Sequence, residues 1–309
     1  MRSAFVRGMV EIAACDQRVV LLTADLGFMA LEPFSEAYPD RYLNVGVAEQ
    51  DMIGVACGLA EAGFLPFCYS IATFASMRGY EFIRNAAVLQ RLPVRMVGVG
   101  GGFEYGPAGA SHHGLEDVAL MRVVPGMTVI APADYAQMLT ALRATWDLPG
   151  PVYYRIGKDD RREVPGLHGR FELGRVEVLG SGDHLLVLSA GSVSTEAAAA
   201  VEKLAARGVR STLGIVSTLN PAPAEDLARL LRDFPVAMTL EAHSINGGLG
   251  SLACEVIAER RIACQVVRLG VSGKPSGRTG GEQYLLKQHG LDRDSVVTKA
   301  LDVLAGTFA

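Results

Sequence analysis

Short apolar runs alternate with segments of helical period along this chain; the alternation stops once and then starts again. Strands are expected at Val19–Ala24, Tyr42–Val47, Leu65–Ile71, Val94–Val99, Met127–Ile130 and Val152–Ile156. Helices are expected at Arg2–Ala14, Ala48–Ala62, Phe74–Leu89 and Asp134–Trp146. A strand–helix–strand rhythm needs crossover connections, so it demands parallel strands with helices on both faces. Residues 158–171 break the rhythm: they are charged, carry Pro165 and two glycines, and show little periodicity. Strands at Leu185–Ser189, Ser211–Val216, Val236–Leu240 and Cys264–Leu269 then resume, with helices at Thr195–Ala206, Pro223–Arg232, Leu249–Glu259 and the C-terminus. The fold expected is α/β, two consecutive parallel-sheet domains over 1–157 and 172–309 joined by a linker at 158–171.

With 309 residues, half of them hydrophobic, the chain has enough material for two filled cores. Its 29 basic and 33 acidic residues form no block of like charge, which argues against nucleic acid or a membrane surface as partner. No apolar run reaches membrane-spanning length, and Met1-Arg2-Ser3-Ala4-Phe5 has no signal-peptide core. The five cysteines are scattered and odd in number, so reduced thiols in a cytoplasmic protein are expected.

Two stretches carry chemistry. In Asn44-Val45-Gly46-Val47-Ala48-Glu49-Gln50, Glu49 sits where a strand gives way to a helix. In open parallel sheets, strand ends and helix N-termini converge there, and ligands bind. A carboxylate at that place is either a ligand contact or a charge stabilised by the helix dipole. The second stretch, Gly100 to Gly114, is a glycine-rich loop after a strand that bears His112 and His113. No Walker loop is present, and Gly98-Val99-Gly100-Gly101-Gly102 matches a dinucleotide fingerprint only loosely.

Four blocks, in order and spacing, resemble the transketolase family of thiamine diphosphate enzymes over nearly the whole chain. They are Thr23-Ala24-Asp25-Leu26, Asn44 to Gln50, Thr73 to Asn85 and Ser111 to Arg122. The likeness is to the pyrimidine-binding and C-terminal domains, above all in split transketolases whose halves are separate polypeptides. It implies that Glu49 bonds N1′ of the cofactor's aminopyrimidine, so that the imino form can remove the thiazolium C2 proton; the protein supplies position and a shielded proton site. It implies that Phe74 stacks on the pyrimidine, that Arg78 and Tyr80 line its pocket, and that Asp25 lies near the thiazolium. His112 would contact sugar hydroxyls and shuttle protons. Arg2 and Arg155 would hold a substrate phosphate. His113 reads as a loop surface residue, Glu116 as a structural or relay carboxylate beneath the loop, and His243 as the maker of a structural bond.

The chain also departs from common transketolases. Ala108 stands where they carry an aspartate, Gly100 where they carry a histidine, and Met29 where a serine is expected. These changes lead to the expectation of a two-carbon ketol transfer involving a less polar or unphosphorylated partner. The Gly-Asp-Gly…Asn signature that holds metal and diphosphate is not found in these 309 residues; Gly180-Ser181-Gly182-Asp183 is only a faint echo. The Mg2+ or Ca2+ ligands are therefore expected on an N-terminal transketolase subunit, in an α2β2 heterotetramer acting on sugar-type molecules. The alternatives are a ketoacid dehydrogenase β subunit-like protein and a non-catalytic scaffold subunit.

Overall fold

A computed structural model describes residues 1–273 and 277–306. Its first unit comprises the strands β1 (Val19–Thr23), β2 (Tyr42–Asn44), β3 (Leu65–Ile71), β4 (Arg95–Val99), β5 (Thr128–Ile130) and β6 (Val152–Ile156). The helices between them are α1 (Arg2–Cys15), α2 (Glu32–Ala37), α3 (Glu49–Glu61), α4 (Ala72–Met77), α5 (Tyr80–Phe82), α6 (Asp117–Arg122) and α7 (Tyr135–Thr145). The second unit holds β7 (Glu177–Leu179), β8 (Leu185–Ala190), β9 (Ser211–Ile215), β10 (Thr218–Asn220), β11 (Val236–Ser244) and β12 (Gln265–Val271). Its helices are α8 (Ser194–Ala205), α9 (Ala224–Arg232), α10 (Leu249–Arg260), α11 (Glu282–Gln288) and α12 (Arg293–Leu304).

Every residue of β1, β3, β4 and β6 is buried, as central parallel strands covered on both faces must be. The first sheet runs β10-β5-β6-β4-β3-β1-β2 and the second β12-β11-β8-β9-β7. Parallel pairing is interrupted at two places: β10 lies antiparallel to β5, and β7 antiparallel to β9. The first of these changes the domain picture, because β10 comes from beyond the linker yet completes the first sheet. Leu219 on β10 belongs to one apolar cluster that reaches from Met52, Met96 and Met121 across to Leu227 and Leu252. The two units thus share a core. Each such fully buried aliphatic side chain contributes about 1.5–3 kcal/mol, so their separation is costly.

Two expected elements change shape. The strand expected over Tyr42–Val47 stops at Asn44, whose side-chain oxygen accepts the Gly46 and Asp25 amides at 3.0 Å each. The single helix expected over Phe74–Leu89 is broken at Arg78-Gly79 and continues through α5 into a π-helical turn at Ile83–Val88. Gly79 explains the break: a Cβ there would sit 3.0 Å from the Ile53 side chain and 3.3 Å from the Glu49 carbonyl. The segment passes so close to the first turn of α3 that any side chain at 79 would crowd it. Among the described residues, 158–171 hold no helix or strand, and no helix is long and apolar enough to cross a membrane. Asp183, the faint echo of a metal motif, pairs with Arg210 at 2.6 Å.

Candidate active site

Glu49 is the first residue of α3, at the end of the loop leaving β2, and is 2 % exposed. Its two oxygens are used differently. Ser70, at the C-terminal end of β3, donates its hydroxyl to Oε1 at 2.9 Å. Arg78 donates Nη1 to Oε2 at 2.7 Å, and its side chain is 44 % exposed. The carboxylate is therefore fixed from inside the sheet and approached from the open side by a half-exposed cation.

The guanidinium of Arg78 also lies over the Phe74 ring, 3.9 Å from its centroid. His112 meets the same ring edge-on, with centroids 5.0 Å apart. Ser111 Oγ is 3.0 Å from His112 Nδ1, which leaves Nε2 as the nitrogen turned to other chemistry. Glu49, Ser70, Phe74, Arg78 and His112 form one cluster where β2, β3 and the glycine-rich loop end together. A flat cation resting on an aromatic face beside a buried carboxylate marks a slot suited to a planar, nitrogen-bearing ring. The donor set thus fits an aminopyrimidine, with a carboxylate for its ring nitrogen and an aromatic face for stacking.

Asp25 adjoins this cluster through the backbone. It adopts φ +54, and its Oδ1 accepts from Asn44 Nδ2 at 2.9 Å, which ties the loop after β1 to the loop that delivers Glu49. The same loop holds Phe28 and Met29 out into solvent, 86 % and 82 % exposed, with Met29 itself at φ +59. Glu32 fixes that turn by accepting the Met29 amide at 2.7 Å.

The structure does not bring the remaining expected residues to the cluster. The Tyr80 hydroxyl is committed to the Leu120 carbonyl at 2.9 Å and joins α5 to α6. Burial raises its pKa above the ordinary value for tyrosine. Arg155 lies buried beneath the loop: its Nε donates to Asp117 Oδ2 at 2.8 Å, and its Nη2 donates to the carbonyls of Gly114 and Ala242 at 2.9 Å each. Its Nε and Nη2 are thus engaged by the protein itself. Arg2 lines a different space, a cavity of about 450 Å³ at the seam of the two units, together with Glu104, Lys158, Ser192, Thr195 and Glu282. Its Nε is buried without a partner. Burial raises the Glu104 carboxyl above its ordinary range and, aided by the Glu104 charge, pushes Glu282 up to about 7.

His113 is buried, not on the surface: its ring packs edge-on against Phe103 at 5.2 Å, and His289 stacks on Phe103 from the second unit at 4.9 Å. Glu116 is exposed. The carboxylate beneath the loop is its neighbour Asp117, wholly buried, which also accepts the Tyr153 hydroxyl at 2.7 Å. His243 makes structural bonds. Its Nε2 accepts from the Ala119 amide at 3.3 Å while Nδ1 faces the Ser244 carbonyl at 2.8 Å, a pattern only the Nδ1-protonated ring satisfies. Sequence reasoning missed Ser70 and Asp117. An acidic residue opening α6 beside a histidine-bearing loop was the signal for Asp117; Ser70, inside an apolar run, offered none. Among the described residues, no group of three or more His, Cys, Asp or Glu side chains is placed to hold a metal ion.

Comparison with known proteins agrees with this architecture. Residues 1–163 match the family model described as transketolase, pyrimidine binding domain, and residues 174–296 match transketolase, C-terminal domain. A putative transketolase C-terminal section of Methanocaldococcus jannaschii is 36 % identical, over 98 % of this chain and 95 % of its own length. A 6-deoxy-6-sulfo-D-fructose transketolase subunit of a Clostridium species is 35 % identical, over 98 % and 94 %. Among solved structures, a split gene transketolase in an inactive beta4 tetramer superposes with a TM-score of 0.87 at 34 % identity, covering 98 % of this chain and 97 % of that one. Transketolase from Leishmania mexicana, 20 % identical, shares the fold at a TM-score of 0.81 over 98 % of this chain and 45 % of its own. The chain belongs to the transketolase family, and its two units are that family's pyrimidine-binding and C-terminal domains.

Proposed function

We propose that this chain is the C-terminal subunit of a split, thiamine diphosphate-dependent transketolase that moves a two-carbon ketol unit from a ketose to an aldehyde or ketone acceptor. The observation that carries the reading is Glu49: a buried carboxylate at a strand–helix junction, fixed on one oxygen by Ser70 and held on the other by Arg78, whose guanidinium lies over the Phe74 ring. Thiamine diphosphate, when bound, supplies the nucleophilic carbon and the electron sink for making and breaking the carbon–carbon bond. Glu49 and Phe74 would hold its pyrimidine. Glu49 keeps a shared proton at Oε2, with Oε1 held by Ser70, and Arg78 leaves the Phe74 face to line the pocket. Asp25 closes the loop above. His112, with Nδ1 engaged by Ser111, moves a proton between Nε2 and the oxygen at the reacting carbon.

The diphosphate and its Mg2+ or Ca2+ ligands come, in this reading, from an N-terminal partner subunit, two of each chain forming the cytoplasmic enzyme. The relative named as a transketolase subunit and the split gene neighbour support it. The acceptor is less polar or unphosphorylated. Support lies in Ala108, in the outward Met29, and in Gly100, which adopts φ +73 and where a Cβ would fall 2.2 Å from the Tyr105 ring. That position has no room for a ligand side chain. Arg2, with its unpartnered Nε, is the residue left to meet an anionic end of the substrate. The test is Glu49→Gln in the chain combined with its partner. Ketol transfer should fall by about 10²–10⁴-fold; undiminished turnover would overturn the assignment. The chain purified alone should not turn over.

A further inference from the structure

The loop that carries His112 is closed at its neck. Gly102 donates its amide to the Gly114 carbonyl at 2.8 Å, and Gly114 returns its own amide to the Gly102 carbonyl at 3.0 Å. Arg155 lies directly under this neck. Its Nη2 donates at once to Gly114 in the loop and to Ala242 on β11, both at 2.9 Å. The Gly114 carbonyl thereby receives two bonds, one for each lone pair. Nε meanwhile grips Oδ2 of Asp117, which opens α6; Tyr153 donates to the same oxygen from β6, and Oδ1 is buried without a partner. The packing is tight. A Cβ at Gly101 would fall 2.5 Å from the guanidinium carbon, and one at Gly102 would fall 2.7 Å from the Ala242 carbonyl oxygen.

We propose that Arg155 is a positioning residue: it fastens the neck of the 100–114 loop to the C-terminal domain and so keeps the His112 ring against Phe74. The physical basis is the planar fork. One rigid group with donors on two edges bridges a loop carbonyl, a carbonyl of the other domain and a carboxylate, which a point charge on a flexible stem does not do. Only His113 separates Gly114 from His112, so a neck that opens by a few tenths of an ångström moves the imidazole directly. The C-terminal domain in this reading sets the geometry of a proton-moving group it does not touch.

The experiment uses the full chain with Arg155→Lys and Arg155→Met, and compares backbone amide exchange across the loop with exchange in the sheet. The Gly102 and Gly114 amides should lose about tenfold or more of their protection in both variants, while β1 and β3 keep theirs. Lysine retains the charge beside Asp117, so wild-type loop protection in Arg155→Lys would show that charge alone suffices and would overturn the fork argument. Should Arg155→Met fail to fold, Gly101→Ala displaces the guanidinium while leaving Arg155 in place. The same loss of protection is expected, and a protected neck in that variant refutes the proposal. These readouts need neither cofactor nor turnover, so they stand or fall apart from the transketolase reading. A second measurement rests on that reading. With the partner subunit, Arg155→Lys should lower kcat by about tenfold with KM within about threefold. A KM that rises for phosphorylated substrates only, over an intact loop, would instead make Arg155 a phosphate ligand.

Discussion

Removing Arg78 from the chain alone tests whether the Glu49 cluster exists as drawn. Arg78→Met keeps an apolar stem and deletes two interactions: the 2.7 Å bond to a carboxylate that is almost wholly buried, and the guanidinium 3.9 Å above Phe74. A hydrogen bond to a charged group contributes about 1.5–3 kcal/mol, and stripping the partner from a fully buried charge costs about 3–5 kcal/mol. Those upper figures do not apply unchanged, because Arg78 is 44 % exposed and water can reach the vacated oxygen. The cation–π contact adds about 0.5–1 kcal/mol at so open a site. The expected cost is about 2 kcal/mol, read as a lower urea midpoint at constant m. A double-mutant cycle with Glu49→Gln isolates the pair, and its coupling energy should be about 1 kcal/mol. Raising the salt from 0.05 M to about 0.5 M should shrink that coupling, since the cation side is open to solvent. A coupling near zero at low salt would mean that the two groups do not meet in solution, and the slot beside Phe74 would lose its definition.

Further outcomes follow from other parts of the molecule. Glu282 has a folded-state pKa pushed up to about 7 from an ordinary 4.5, so the folded chain binds more protons between those values than the unfolded chain does. Its contribution to stability is full below about pH 4.5 and is lost as the pH rises through about 7; Glu282→Gln should flatten the melting temperature over that window, and an unchanged slope would remove Glu282 as its source. Tyr153→Phe leaves the buried Asp117 with one donor fewer and should cost about 1–3 kcal/mol in urea unfolding. A cost below about 0.5 kcal/mol would show that water replaces the hydroxyl there.

The alternation of strand and helix was legible because β1, β3, β4 and β6 are buried along their whole lengths, and burial on both faces writes itself as continuous apolar runs. β10 left no such mark. Thr218, Leu219 and Asn220 have no period of their own and form a strand only because the edge of β5 is there to pair with. The short α6 is hidden in the same way, since it buries only Asp117, Val118 and Met121. The break at Gly79 depends on how closely the first turn of α3 approaches, which is a tertiary fact.

The same division runs through the site. Glu49, Phe74 and His112 stand in blocks whose order and spacing mark them. Ser70 and Asp117 stand behind them: Ser70 bonds Glu49, and Asp117 bonds Arg155 beneath the loop. Nothing local separates Ser70 from any serine in a buried strand, or Asp117 from its exposed neighbour Glu116. Arg155 makes the point most sharply. The family resemblance implies a ligand for phosphate, and the fold surrounds it with Asp117, Gly114 and Ala242, three partners drawn from positions 38, 41 and 87 residues away. Which role a guanidinium takes is decided by which acceptors the fold brings within 3 Å of it, and two of these three are backbone carbonyls, which carry no residue identity to read.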